Sequence, residues 1–186
     1  HLHVVIPDNT LLGELLDRYE DEVSPLHKSH QVERYRLKTL KRHLGDISIT
    51  RLSPALLCKY RDTRLGTVSP ASLKRELVIL SSVINTAIKE WGINLQSNPV
   101  SMVSLPKIAR GRDRRLEAGE EEKLLACSGE LKRIIIVALE TGMRRGEILN
   151  IKKSHIDFNR QTLLIPLTKT DTPRTIPLSS RAIEAL

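Results

Sequence analysis

The stretch TGMRRGEIL, residues 141–149, decides how the second half of this chain is read. Before it, residues 131–140 (LKRIIIVALE) form an apolar run of helical character. Thr141-Gly142 then makes a turn, and helical periodicity resumes through Leu149. Two arginines, Arg144 and Arg145, therefore stand where a buried helix meets a tight turn, whereas solubility alone would put them on an outer face farther along. Downstream, residues 151–160 lead into QTLLIP (161–166), then KTDTPR (169–174) and TIPL (175–178). This reads as strand, turn, strand, with Pro166 and Pro177 limiting the regularity of the ladder. Ser179 is placed to cap a last helix over residues 180–186. Upstream, EAGEEE (117–122) puts negative charge near the start of a helix that continues to Cys127, where it is favourable beside unsatisfied N–H groups. Consecutive carboxylates do not converge on one helical face, so this run is not read as a metal site.

The character of the sequence changes at IARGRDRR, residues 108–115. Residues 1–107 carry 15 basic and 11 acidic side chains, 108–115 carry four Arg and one Asp, and 116–186 carry 11 basic and 10 acidic. The densest local charge is thus a connector between two patterned regions, a boundary signal. Its two readings are a solvated tether and a strap whose Arg110, Arg112, Arg114 and Arg115 follow DNA phosphates. The chain as a whole holds 30 Lys plus Arg against 22 Asp plus Glu, a formal charge of +8, which favours a polyanionic partner without specifying a fold.

The first region reads as four helices. Leu11, Leu12, Leu15, Leu16 and Tyr19 make one helical face, which Ser24-Pro25 interrupts. Val32, Tyr35, Leu37, Leu40 and Leu44 carry a second periodic segment to Gly45. Ser53 and Pro54 open a short third helix to Arg64. The strongest amphipathic run spans residues 71–91, with Leu73, Leu77, Leu80, Val83, Ile84, Ala87 and Ile88 inward and Lys74, Arg75, Glu76 and Lys89 on other faces. Gly92 offers a stop, and the loop Asn94–Pro99 closes the unit. Lys74 and Arg75 are candidate phosphate contacts, beside the plain reading of a solvated basic face. One Trp, one Phe and three Tyr are too few for a base-stacking platform, so duplex backbone recognition is expected.

Several function classes are excluded on composition and motif. A 40% hydrophobic content argues against disorder, and two cysteines, Cys58 and Cys127, cannot build a disulfide scaffold. Cys58 is read as core filler. No apolar run is long enough to cross a bilayer, and the amino terminus lacks a secretory pattern, so a reducing cytoplasm is expected. The absent initiator Met points to a fragment or a processed chain. His1, His3, His27, His30 and His43 lack the paired spacing of a zinc site and are read as surface or helix-end residues. Neither a GxxxxGK[ST] loop, an HExxH motif nor a GxSxG elbow is present. What remains is Arg144 followed 25 residues later by Lys169 in the hairpin. In phosphodiester exchange an arginine can grip nonbridging oxygens and a lysine can protonate the departing 5′ oxygen, provided the two converge.

Residues 141–149, the hairpin KTDTPRTIPL (169–178), the preceding RRLEAGE (114–120), and in the first half SLKREL (72–77) and Asn98-Pro99 together resemble the tyrosine recombinases, or phage integrase family. The resemblance covers nearly the whole chain. It implies a two-domain α then α+β architecture: a helical-bundle core-binding, SAM-like DNA-binding domain over 1–107, a basic linker over 108–115, and over 116–186 the opening part of a catalytic domain with a β-hairpin. By resemblance Arg144 holds the scissile phosphate, Lys169 aids 5′-hydroxyl departure and Glu147 organises the arginine-bearing turn. Arg145 is assigned to DNA or to a local ion pair, and Arg174 to a further phosphate contact.

The family's later His-x-x-Arg segment, its His or Trp, and its nucleophilic tyrosine do not occur in these 186 residues. Tyr19, Tyr35 and Tyr60 lie in the first half, outside any motif that would make them substitutes, so no nucleophile is assigned and the chain is expected to be inactive alone. The family implies recombination through a 3′-phosphotyrosine intermediate, without ATP, metal or other cofactor, by a homotetramer clamped on double-stranded DNA. For this chain a monomer or weak oligomer is expected, with no membrane association. The alternatives are a non-catalytic or inhibitory DNA-binding protein of integrase type and, less favoured, a helical interaction protein independent of DNA.

Overall fold

A computed structural model describes residues 9–109, 111, 113–166 and 172–186. The chain divides into two compact units, His1–Gly111 and Arg112–Leu186, so the division falls within the arginine-rich stretch. Arg110, Arg112 and Lys169 lie outside the described residues. Among the described residues no helix is long and apolar enough to cross a membrane.

The first unit is built from α1 (Leu12–Glu22), α2 (His30–Leu44), α3 (Pro54–Leu65) and α4 (Pro70–Lys89), joined by short 3-10 turns at Ser24–Leu26 and Ile49–Arg51. Leu12, Leu16, Leu37, Leu40, Leu57, Leu73, Leu77, Leu80 and Ile84 are fully buried in one cluster. Each such side chain is worth about 1.5–3 kcal/mol of transfer free energy, which is why these helices hold despite middling propensity. Serines start the last two helices: Ser53 Oγ accepts the Leu56 N–H at 3.3 Å and Ser69 Oγ accepts the Ser72 N–H at 3.2 Å, each followed by a proline whose missing N–H costs nothing there. The start of α1 is pinned to the end of α2 by backbone bonds of 2.9 Å, Leu12 N–H to Ile47 O and Gly13 N–H to Gly45 O. Glycine at position 13 permits that approach, since a Cβ there would sit 3.1 Å from Gly45 O. Beyond α4, Asn98 closes the unit: its Nδ2 donates to Ser81 O at 3.0 Å and Asn85 Oδ1 at 2.9 Å, while its Oδ1 accepts the Val100 N–H at 3.0 Å.

Two expectations fail in this unit: Val32 and Tyr35, at the start of the apolar spacing of the second helix, are exposed, and Glu76, expected with Lys74 and Arg75 away from the apolar face of α4, is only 5% exposed. The Glu76 carboxylate accepts Arg64 Nη2 at 2.6 Å, Arg64 Nε at 3.1 Å and the Tyr60 hydroxyl at 2.7 Å, so α3 supplies the partners that make burial affordable. Burial pushes the Glu76 carboxyl up, but the Arg64 and Tyr60 hydrogen bonds outweigh it and the pKa is lowered.

The second unit carries α5 (Glu120–Leu125), α6 (Glu130–Thr141), α7 (Arg145–Leu149) and α8 (Ser180–Ala185) beside an antiparallel sheet of β1 (Ile156–Asp157), β2 (Thr162–Ile165) and β3 (Arg174–Pro177) in the order β1-β2-β3. The expected hairpin is thus extended by a third, two-residue strand. The Asp157–Arg160 turn that supplies it is held by Arg160 N–H donating to Asp157 Oδ1 at 2.9 Å. Leu163 and Ile165 alternate inward along β2 and, with Val137, Met143, Ile148, Leu178 and Ala182, form the core of this unit. Ser179 caps α8 through the Ala182 N–H at 3.1 Å and itself donates to Glu140 Oε2 at 2.6 Å.

Candidate functional site

The site grows out of the turn between α6 and α7. Gly142 closes α6 in the left-handed region, φ 62°, and donates to Ala138 O at 3.0 Å. Thr141 Oγ1 bonds back to Val137 O at 2.5 Å and accepts the Met143 N–H at 3.3 Å, and Met143 is buried beneath. This leaves Arg144 extended at the N-cap of α7, with its side chain 61% exposed. Glu147, three residues on, folds back and is only 6% exposed. Its Oε2 accepts the Arg144 amide at 3.0 Å, its Oε1 accepts Arg144 Nη1 at 3.0 Å, and Arg174 Nη2, from the first residue of β3, donates to Oε2 at 2.8 Å.

One carboxylate therefore gathers a helix start and a strand that lie 27 residues apart in sequence. The Arg144 amide is the chief cause holding the Glu147 carboxyl below its ordinary range; burial opposes it, and the Arg144 and Arg174 guanidinium groups reinforce it. Only Nη1 of Arg144 engages Glu147, so its Nε and Nη2 donors are free among the described residues to meet an anion. Two guanidinium groups on one buried carboxylate leave an excess of positive charge on the exposed side.

Beside this cluster lies a pocket of about 650 Å³ lined by Arg144, Lys152 and His155 together with Met143, Leu164 and Ile165. The sequence marks Lys152 and His155 only as part of the run leading into the sheet. The Lys152 N–H lies 3.4 Å from His155 Nδ1, a local contact between two residues that line the pocket. No periodic signal could have found them, because the pocket is shaped by the sheet packing under α7. Among the described residues no three His, Cys, Asp or Glu side chains are grouped to hold a metal ion.

Of the remaining candidates, Arg145 is exposed at the first position of α7 and Arg115 is exposed before α5. Arg114 is engaged by the Glu120 carboxylate, whose other oxygen accepts the Glu117 N–H at 2.9 Å. Lys74 and Arg75 are exposed on α4. His27 and His30 gather near Glu33, which accepts Ser24 Oγ at 3.0 Å, Ser29 Oγ at 2.5 Å and sits 2.9 Å from His27 Nδ1. This cluster fixes the entry to α2.

Two family models match the chain: the phage integrase N-terminal domain over residues 8–107 and the phage integrase family over residues 114–186. A shufflon-specific DNA recombinase of Escherichia coli is 38% identical over 184 residues, 92% of this chain and 48% of that relative. A putative integrase/recombinase of Haemophilus influenzae is 36% identical over 196 residues, 97% of this chain and 53% of that relative. The chain thus spans about half the length of these curated relatives. Its fold matches a lambda integrase tetramer bound to a Holliday junction with TM-score 0.81 at 23% identity, covering 96% of this chain and 54% of that one. A lambda integrase dimer bound to a COC′ core site matches with TM-score 0.80 at 24% identity, covering 95% of this chain and 68% of that one. At these identities the likeness is one of fold, while the family models and the bacterial relatives carry the assignment: the chain belongs to the phage integrase family, the tyrosine recombinases.

Proposed function

We propose that this chain supplies the duplex-gripping and phosphate-holding parts of a site-specific DNA recombinase. The observation that carries the reading is Glu147, whose buried carboxylate sets Arg144 and Arg174 side by side with donors still directed to solvent. A scissile phosphate seated there would receive two N–H groups from Arg144 on its nonbridging oxygens, and a neighbouring contact from Arg174. Negative charge grows on those oxygens as phosphorus becomes five-coordinate, so donors fixed beforehand stabilise the transition state more than the ground state. Lys169 is assigned the proton for the departing 5′ oxygen. In the complete reaction a tyrosine oxygen attacks phosphorus in line, the phosphotyrosine bond forms as the P–O5′ bond breaks, and a 5′-hydroxyl from the exchanged strand reverses the step. No ATP is needed, because one phosphodiester is replaced by another of similar energy.

Residues 1–186 bring no tyrosine to the second unit: Tyr19, Tyr35 and Tyr60 lie on α1, α2 and α3. This favours a second reading in which residues 1–186, acting alone, occupy DNA as a monomer or weak oligomer without cutting it, whereas four copies assemble where recombination is complete. The test is to incubate residues 1–186 with a duplex carrying a suspended nick. Salt-sensitive binding without a covalent adduct is expected, the binding weakening as counterion release loses its advantage. Absence of binding at low salt, or an adduct at Tyr19, Tyr35 or Tyr60, refutes the reading.

A further inference from the structure

Between α2 and α4 lies a groove of about 430 Å³, apart from the arginine cluster of the second unit and bottomed on the core residue Ile79. Arg36 stands on its α2 side, and Lys74 and Arg75 stand on its α4 side. None of the three pairs with a carboxylate among the described residues. Glu33 also lines the groove, but its oxygens are occupied by Ser24, Ser29 and the neighbouring His27. The lining therefore carries three cations against the single carboxylate of Glu33, a net positive balance. Its apolar part is unusual for a solvated face: Val78 is 51% exposed one turn after Lys74, and Ile108 is 49% exposed across from it.

Resting on the reading of this chain as a duplex-binding protein, we propose that this groove reads thymine methyl groups in the DNA major groove, with Val78 as a specificity-determining contact and Arg36, Lys74 and Arg75 holding the flanking phosphates. Charge complementarity selects the partner, since an excess of cations over the single Glu33 carboxylate around a small apolar patch suits a polyanion better than an apolar peptide. The chemistry of the patch then narrows what is read. Val78 and Ile108 offer no hydrogen bond, and the thymine C5-methyl is the apolar group that base edges present in that groove. Arg36 adds a cation from a second helix, so the phosphates are held from both sides of the contact and the register of Val78 on the bases is set.

The experiment uses residues 1–186 and a pool of random-sequence duplexes at low salt, from which bound duplexes are selected and sequenced. Thymines in the selected duplex are then replaced one at a time by uracil, which keeps base pairing and removes only the methyl group. At one or two positions uracil should weaken binding about fourfold, the worth of one buried methyl group. That penalty should vanish in Val78→Ala and persist in Met102→Ala, a change at an exposed apolar residue away from the groove. Arg36→Ala should lower the slope of log affinity against log salt by about 0.9, the loss of one phosphate contact. Selection without enriched thymine, or a uracil penalty equal in Val78→Ala and the parent, overturns the methyl-reading proposal while leaving duplex binding intact. An unchanged salt slope in Arg36→Ala removes that residue from the contact, and no binding of any duplex overturns the underlying reading together with this one.

Discussion

Replacing Glu76 by Leu should unfold the first unit more readily than its single position on a surface-patterned helix would suggest. In the folded chain the side chains of Arg64 and Glu76 are 11% and 7% exposed, and the pair is joined by two hydrogen bonds with Tyr60 adding a third. Removing the carboxylate strands a guanidinium and a phenol, at a cost of about 3–5 kcal/mol for breaking a buried ion pair. Arg64 keeps one bond to Thr67 Oγ1 at 3.0 Å and has some contact with water, which puts the expected loss near the lower end, about 3 kcal/mol. For a unit of this size that lowers the thermal midpoint by more than about 12 °C. The triple variant Tyr60→Phe, Arg64→Met, Glu76→Leu removes every stranded group and should recover to within about 1.5 kcal/mol of the parent, because the desolvation cost of the charges disappears with them. The assay is urea and thermal unfolding followed by the fluorescence of Trp91, the chain's single tryptophan, which is buried in the first unit and reports that unit alone. A loss below about 1 kcal/mol in Glu76→Leu, or a triple variant no more stable than the single one, would refute this account of the triad.

Three further outcomes are expected. Ser69→Ala removes the side-chain acceptor at the start of α4 and should cost about 1 kcal/mol in the same unfolding assay, with Ser69→Gly costing less. Gly142→Ala meets no neighbouring atom but forces a β-carbon into the left-handed region, so it should destabilise the second unit by about 1–2 kcal/mol through backbone strain, measured by circular dichroism once the Trp91 transition has been subtracted. Glu33 and Glu76 both have lowered pKa values, burial being outweighed by Ser29, His27 and Ser24 at the first and by Arg64 and Tyr60 at the second. Their stabilisation is present above the unfolded carboxyl value of about 4.3 and lost as pH falls through the folded values; Tyr60, raised by burial and then by Glu76, gives stability that is lost as pH rises past about 10. Unfolding free energy measured against pH should therefore fall on both the acid and the alkaline side, and Tyr60→Phe should flatten the alkaline fall.

Much of the local architecture is legible without coordinates. The apolar spacing of Leu73, Leu77, Leu80 and Ile84 announces a buried helical face. The Ser-Pro pair at 53–54 marks a helix start and Ser179 marks another, because caps depend on the few residues around them. The arginines at the α6–α7 turn stand out for the same reason, since a turn glycine and a resumed helix lie within a few residues. The sheet was legible as a hairpin only: β1 is two residues long, too short for an alternating pattern to register.

The sequence by itself determined the helical character of these segments, the starts at Ser53-Pro54 and Ser179, and that two arginines would stand at the turn after a buried helix, because those properties follow from neighbours within about one turn. Tertiary structure decided which charged residues meet across elements. Glu76 shares its stretch of helix with Lys74 and Arg75, yet it turns inward because α3 brings Arg64 and Tyr60 to it. Glu147 caps its own helix locally through the Arg144 amide, but it gathers a second arginine only because β3 packs alongside and places Arg174 2.8 Å from it. A buried charge is tolerated only where an opposite charge or donor from another element meets it, and that meeting depends on packing between segments that no local periodicity records.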